Sequence, residues 1–438
     1  MTPGRGARIL VVEGGSVGDA LTEGLDRLGW RTVTATSAGA ASAALEDMPI
    51  EAAVIDLAAP AETVSDLLEQ IRARAPERRT PVLGIGEAKD VTADGFDLIM
   101  SGVLHPAQAS LRLEQLIRAA VTEEELALRR RTLSRHGYDL QPQGDPRRSR
   151  VLMIGDPDPR FLALSHALDE TEVETTGAFT AYTAFDYLHE KAFDAVVIWS
   201  GGDQTEAMSI ATGMKRNTRL YHTPILLYLP EPEAVDVADL FRRGVADIAA
   251  PSTPEAETAR RIAALAGFHR RQTAIREALE KSRSSGLMDP ATGLFTAELF
   301  AQHLVAEAEA ARGRRRPLSV CVLRLRKKPE HIGLAAGGWI ARALPQIGSM
   351  VSRLVRAEDT TARLGPDTFA LALPATDAAQ AQTVGERIAA VIGCTAFDAG
   401  QDRPPFVAEF DLGVAELRPS ETAGAALERA AKASAEAA

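Results

Sequence analysis

Three apolar runs occur twice in this chain at almost one spacing. RILVV from Arg8 and RVLMI from Arg150 stand 142 residues apart. EAAVID ending at Asp56 and DAVVIW ending at Trp199 stand 143 apart, as do TPVLGI from Thr80 and TPILLY from Thr223. Runs that share one offset mark a tandem duplication. Within each copy the runs are apolar throughout and alternate with amphipathic stretches such as DALTEGLDRLG and VSDLLEQIRARA. Strands without polar alternation are buried on both faces, and helices between them build βαβ units. Each copy is therefore predicted to be a flavodoxin-like, doubly wound parallel sheet. In such sheets chemistry collects at the carboxyl ends of the strands.

The chain has 438 residues, 45% hydrophobic and 25% charged, which predicts roughly two to four globular domains. A formal net charge of -11 argues against nucleic acid or an acidic membrane surface as a general partner, since phosphate affinity needs surplus Lys and Arg. The two cysteines, Cys321 and Cys394, stand alone in apolar contexts and read as small buried hydrophobes in a reducing cytosol. Apolar runs are too short to span a bilayer, and the first strand follows the N-terminus without a signal-peptide layout. A cytoplasmic protein is expected.

The organisation predicted from these patterns has five parts. Residues 1–128 form the first repeat domain and 129–149, containing RRRTLSRHGYDLQPQGDPRR, a basic linker. Residues 150–268 form the second repeat domain, and 269–288 a charged helical stalk that joins domains or pairs two chains. A third domain of α/β type occupies 289–438.

The strand-end residues of the repeats resemble response-regulator receivers, and the whole layout resembles PleD-type regulators that end in a GGDEF domain. The resemblance implies an aspartate acceptor after the third strand, acids for Mg²⁺ after the first, a Ser/Thr after the fourth and a Lys after the fifth, because charge on a transferring phosphoryl group must be offset. The first copy has the candidate phosphoacceptor Asp56 and one acid, Glu13, but Gly86 and His105 at the Ser/Thr and Lys positions. The second keeps Asp156 and Asp158 but places Trp199 at the acceptor position, with Leu229 and Ala250 at the other two. An indole cannot be phosphorylated, so this copy is expected to be a docking module.

DPATGLFTAELF from Asp289 resembles the opening of diguanylate cyclases, with Thr296 where a nucleotide-binding Asn is usual. Carrying the resemblance along the chain puts Arg324 at a metal-ligand position. Ile332 and Gly333 then fall at guanine-reading positions, and the signature turn falls on Gly365, Pro366, Asp367, Thr368 and Phe369. Thr368 stands for the catalytic acid, and Pro366 removes an N–H beside which a triphosphate would pass. The side chains of Arg324 and Arg326 are expected to pair with Asp367 or to face solvent. The alternative is that they hold nucleotide phosphates together with Lys327 and Lys328. On these departures the chain is expected to be no enzyme, with no catalytic residue, no metal site and no cofactor.

Arg356-x-x-Asp359 lies five residues ahead of the turn, where the family carries its inhibitory cyclic-di-GMP site. Arginine takes guanine O6 and N7 in a bidentate fork, and a carboxylate accepts from guanine N–H groups. Arg387, in a Glu-Arg-Ile context, falls at the family's secondary site. The ligand implied is cyclic di-GMP, bound by Arg356, Asp359 and Arg387. The resemblance is strongest to the PopA-like, non-catalytic branch of the family. It implies polar localisation, delivery of a cell-cycle regulator (CtrA, through RcdA) to the ClpXP protease, and a homodimer through receivers and stalk. Two alternatives stay open: a residual diguanylate cyclase, and a phospho-switch acting through Asp56.

Overall fold

The computed structural model describes residues 7–15, 19–73, 79–86, 95–101, 104–144, 146–200, 204–232, 235–283, 286–326, 339–398 and 404–436. They fall into two compact units, one within residues 1–75, 79–120 and 144–274, the other within 121–143 and 275–438.

The first unit holds two parallel sheets built alike. In one, β1 (Arg8–Val12), β2 (Arg31–Ala35), β3 (Ile50–Asp56), β4 (Val82–Ile85) and β5 (Leu98–Met100) are ordered β2-β1-β3-β4-β5. In the other, β6 (Ser149–Ile154), β7 (Val173–Ala178), β8 (Ala195–Trp199), β9 (Ile225–Tyr228) and β10 (Asp247–Ala249) repeat that order as β7-β6-β8-β9-β10. The three runs that recur in the sequence are the first, third and fourth strands of each sheet. Separate apolar clusters cover the two faces of each: Ile9, Val11 and Val54 on one side of β1 and β3, Leu10, Val12 and Ile55 on the other. That two-sided burial is why these strands show no polar alternation.

The second unit is built on a mostly antiparallel sheet of β11 (Phe295–Thr296), β12 (Leu318–Leu325), β13 (Thr360–Gly365), β14 (Thr368–Pro374) and β17 (Phe410–Glu416), ordered β11-β13-β14-β12-β17. A short pair, β15 (Ala396–Phe397) and β16 (Phe406–Val407), stands apart. Helices Ala297–Arg314 and Ala423–Glu436 lie over one face, with Phe300, Leu304 and Ala430 meeting Val320 and Ala372. Helices Trp339–Arg353 and Ala378–Gly393 cover the other, where Ile347, Ile388 and Ile392 meet Cys321 and Leu371.

Two stretches depart from the expected linker and stalk. Residues 129–134 do not start an irregular linker, because helix Pro106–Ser134 runs through them. Thr122, Glu125, Arg129, Thr132 and Leu133 are all buried at helical spacing, a stripe whose charged members disguise it in the sequence. The expected stalk is the last part of helix Glu255–Ser282, whose Ala278 and Leu279 sit in the second unit's core. Of the cysteines, Cys321 is buried as expected, and desolvation pushes its thiol up to about 12. Cys394 corrects the other half of that expectation: it is exposed, at the C-terminal end of helix Ala378–Gly393. No described helix is long and apolar enough to cross a membrane.

Candidate functional site

The signature turn is the tip of the β13–β14 hairpin. Gly365 pairs with Thr368, so Pro366 and Asp367 occupy the two central turn positions. Proline suits the first of these, where its fixed φ fits and no ladder N–H is needed. Pro366 is exposed, while the Asp367 carbonyl accepts from Leu325 N at 2.8 Å. The register then assembles the other expected positions: Arg324 on β12 lies opposite Thr368 on one side and Asp411 on the other. Thr368 Oγ1 donates to Asp367 Oδ1 at 3.0 Å. Arg324, Gly365, Pro366, Asp367 and Thr368 are thus gathered at one end of the sheet. Of the two placements expected for the arginines, Arg326 takes the solvent-facing one: it is exposed, its guanidinium pairs with Asp411, and it lies 3.5 Å from Glu409. Arg324 Nε is buried and has no hydrogen-bond partner among the described residues. Thr296 caps helix Ala297–Arg314, accepting from Leu299 N at 3.3 Å. Lys327, Lys328, Ile332 and Gly333 lie outside the described residues.

The Arg356–Asp359 segment is a tight turn leading into β13. Asp359 Oδ2 accepts from Arg356 N at 2.8 Å, and Asp359 N donates to Arg356 O at 3.2 Å. The carboxylate faces inward: Asp359 is 3% exposed and its Oδ1 has no hydrogen-bond partner among the described residues. Burial first, and then the neighbouring Glu358 charge, raises its pKa to about 8. Arg356 is half-buried, its Nη1 3.9 Å from Glu358 Oε1. Arg387, exposed on helix Ala378–Gly393, donates through Nη2 to Leu354 O at 2.7 Å, two residues before Arg356. All three residues expected to hold the ligand therefore meet at one edge, with the Asp359 side chain turned inward.

At the ends of the parallel sheets the two repeats differ. Asp56, at the end of β3, is fully buried; its Oδ2 accepts from Gly14 N at 3.0 Å and its Oδ1 from Ala58 N at 2.9 Å. Only glycine fits at position 14, since a Cβ there would lie 2.1 Å from Ala59 N. That contact explains why a single acid, Glu13, stands in this loop. At the equivalent place in the second sheet, Trp199 stacks on Tyr228 with centroids 3.8 Å apart. Its Nε1 donates to Asp158 Oδ2 at 3.2 Å, and Asp158 Oδ1 caps the following helix. The aromatic pair takes the space that an acceptor carboxylate would need.

Sequence reasoning missed a cluster buried inside the second unit. Glu125, Arg129 and Thr132 from helix Pro106–Ser134 meet His303 and Glu307 from helix Ala297–Arg314 and Thr360 at the start of β13. All six are buried. His303 Nε2 lies 3.0 Å from Glu125 Oε1 and 3.3 Å from Glu307 Oε1, and Arg129 Nη2 lies 2.6 Å from Glu125 Oε1. Burial lowers the His303 pKa, but the two carboxylates outweigh it and hold it at about 9. The sequence carries the pairs Glu125/Arg129 and His303/Glu307 at i,i+4 spacing. It gives no sign that tertiary packing joins them.

The comparisons bear on the second unit. Residues 286–438 match the family model "Diguanylate cyclase, GGDEF domain". No curated protein matches the chain. Solved structures similar to it include the FimX GGDEF domain from Pseudomonas aeruginosa, at 24% identity and TM-score 0.32, covering 34% of this chain and 93% of that one. The GGDEF domain of DgcB from Caulobacter crescentus, solved in complex with c-di-GMP, is similar at 20% identity and TM-score 0.32, covering 34% and 86%. Diguanylate cyclase SiaD from P. aeruginosa, solved with its activator SiaC, is similar at 24% identity and TM-score 0.33, covering 41% and 69%. The family match overturns the expectation that the chain is no enzyme, because the family is an enzymatic one. That expectation rested on the replacements at Arg324 and Thr368 together with those at Ile332 and Gly333. The register puts Asp411 opposite Arg324, where its carboxylate pairs with Arg326, and Asp367 in the adjoining turn. Residues 286–438 are a GGDEF domain.

Proposed function

We propose that this chain is a cyclic-di-GMP-responsive regulator whose ligand site is the Arg356–Asp359 turn together with Arg387. One observation carries the reading: the Asp359 carboxylate oxygen Oδ1 is buried without a partner among the described residues, in a turn flanked by two guanidinium groups. A buried carboxylate oxygen without a donor is costly. Guanine N1–H and N2–H would satisfy it once the turn opens, while Arg356 takes the O6/N7 edge. We read the parallel-sheet repeats, residues 1–128 and 150–268, as receiver-like modules, supported by their shared strand order and by Asp56 at a strand end. Delivery of a cell-cycle regulator to a protease at a cell pole is the output that the sequence resemblance adds.

Calorimetric titration of the full chain with cyclic di-GMP tests the site. Arg356→Ala is expected to weaken binding by about 1–3 kcal/mol, roughly 5- to 150-fold, through loss of one bidentate base contact. Arg387→Ala is expected to weaken it less, if the ligand docks as a stacked dimer whose second face meets Arg387. Substitutions at Pro366 or Thr368, in the hairpin tip, should leave affinity nearly unchanged. A wild-type chain that binds nothing at tens of micromolar ligand would overturn the reading.

The repeat modules give a separate expectation. Asp56→Asn is expected to leave cyclic-di-GMP affinity within about twofold, because both Asp56 oxygens serve backbone N–H groups within their own module. A larger change in the same titration would make Asp56 part of the ligand response.

A further inference from the structure

We propose that Glu125, His303 and Glu307, with Thr360, form a binding site for one first-row divalent transition ion, Zn²⁺ by preference. The donor atoms are already spaced for it. Metal–ligand bonds of about 2.0–2.2 Å place neighbouring donors roughly 2.8–3.6 Å apart. His303 Nε2 stands 3.0 Å from Glu125 Oε1 and 3.3 Å from Glu307 Oε1. Thr360 Oγ1 stands 3.3 and 3.1 Å from the same two oxygens. One imidazole, two carboxylates and a hydroxyl form a nitrogen–oxygen set suited to Zn²⁺ and its neighbours in the series.

The imidazole is oriented for ligation. Thr132 Oγ1 donates to Leu128 O at 3.1 Å, so its contact with His303 Nδ1 at 3.0 Å is one in which Nδ1–H donates. A fixed donor on one ring nitrogen turns the other toward the metal, the usual role of an outer hydrogen bond to a ligating histidine. Nε2 therefore points its lone pair, or a single proton, at two carboxylates. Glu125 Oε2 and Glu307 Oε2 are both buried with no hydrogen-bond partner among the described residues. The contacts from His303, Thr360 and Arg129 go to Glu125 Oε1, and those from His303 and Thr360 to Glu307 Oε1. Arg129 and protonated His303 supply two positive charges against the two carboxylates, and a metal ion would take the place of the Nε2 proton. A cavity of about 30 Å³ is lined by Glu125 and Glu307 together with Glu124, Arg314 and Arg316.

The test uses the full-length chain after dialysis against a chelator, titrated with Co²⁺ as a spectroscopic probe and then with Zn²⁺. The expected result is a visible d–d band that saturates at one Co²⁺ per chain and is displaced by Zn²⁺. His303→Gln should abolish the band, and Thr132→Val, which frees the ring, should weaken Co²⁺ binding about tenfold. Circular dichroism and thermal unfolding check that each variant is folded. X-ray absorption at the zinc edge of the wild-type chain needs no variant; a nitrogen–oxygen shell that includes one imidazole is expected. A wild-type chain without a d–d band in excess Co²⁺, a zinc shell without imidazole, or binding unchanged in folded His303→Gln would each overturn the proposal.

Discussion

Arg129→Ala is expected to cost the second unit about 3–5 kcal/mol of stability, the usual loss when one partner of a buried ion pair is removed. Arg129 is fully buried and donates through Nε to Glu125 Oε1 at 2.8 Å and through Nη2 to Thr360 Oγ1 at 3.1 Å. Its guanidinium also lies 5.5 Å from the Phe295 ring centroid. The substitution leaves Glu125 facing Glu307 across His303, two buried carboxylates with one cation between them. Thermal unfolding should fall by roughly 10 °C, taking about 2–4 °C per kcal/mol for a unit of this size. Arg129→Lys should lose less, since it keeps the charge but not the planar fork. A combined Arg129→Met, Glu125→Leu chain should recover part of the loss, because it removes the stranded charge along with its partner. A loss under about 1 kcal/mol for Arg129→Ala would mean that water reaches Glu125 and that the cluster is not dry.

How much of this was legible in the sequence depends on whether the signal was periodic. The parallel sheets were legible because their strands are buried on both faces, which prints an unbroken apolar run such as AVVIW (Ala195–Trp199). The duplicated offset carried their common strand order. The β13–β14 hairpin was legible from Gly365 and Pro366 between two apolar runs. Arg356, Asp359 and Arg387 were named by their position in the sequence, and the structure places them at one edge. The inward turn of Asp359 was not readable, because the side-chain direction in a four-residue turn depends on what packs beneath it. The buried cluster was hidden for another reason. A stripe of Glu125, Arg129 and Thr132 looks like a solvated helix face until a second helix supplies His303 and Glu307. The same disguise turned the end of helix Pro106–Ser134 into an apparent linker.

The affinity for cyclic di-GMP is expected to rise with pH up to about 8, by about tenfold per unit below that value. Burial and the Glu358 charge raise Asp359 to about 8, so at pH 6 to 7 the free chain holds its carboxyl protonated. A protonated carboxyl competes with the guanine N–H donors, so binding must release that proton. Each pH unit below 8 then costs one factor of ten, roughly a hundredfold between pH 8 and pH 6. The stability of the ligand-free unit runs the other way. Its folded-state pKa lies above the unfolded value of 3.8, so the folded chain binds the proton more tightly. This contribution is complete below about pH 4 and is lost as pH rises toward 8. Asp359→Asn carries no proton to release: its affinity should be low at pH 8 and flat between pH 6 and pH 8, while its unfolding temperature at pH 8 should exceed that of the wild type. Titrations at pH 6, 7 and 8 on both chains decide the matter. A wild-type affinity that does not change across that range would mean that Asp359 is not the group that meets the base.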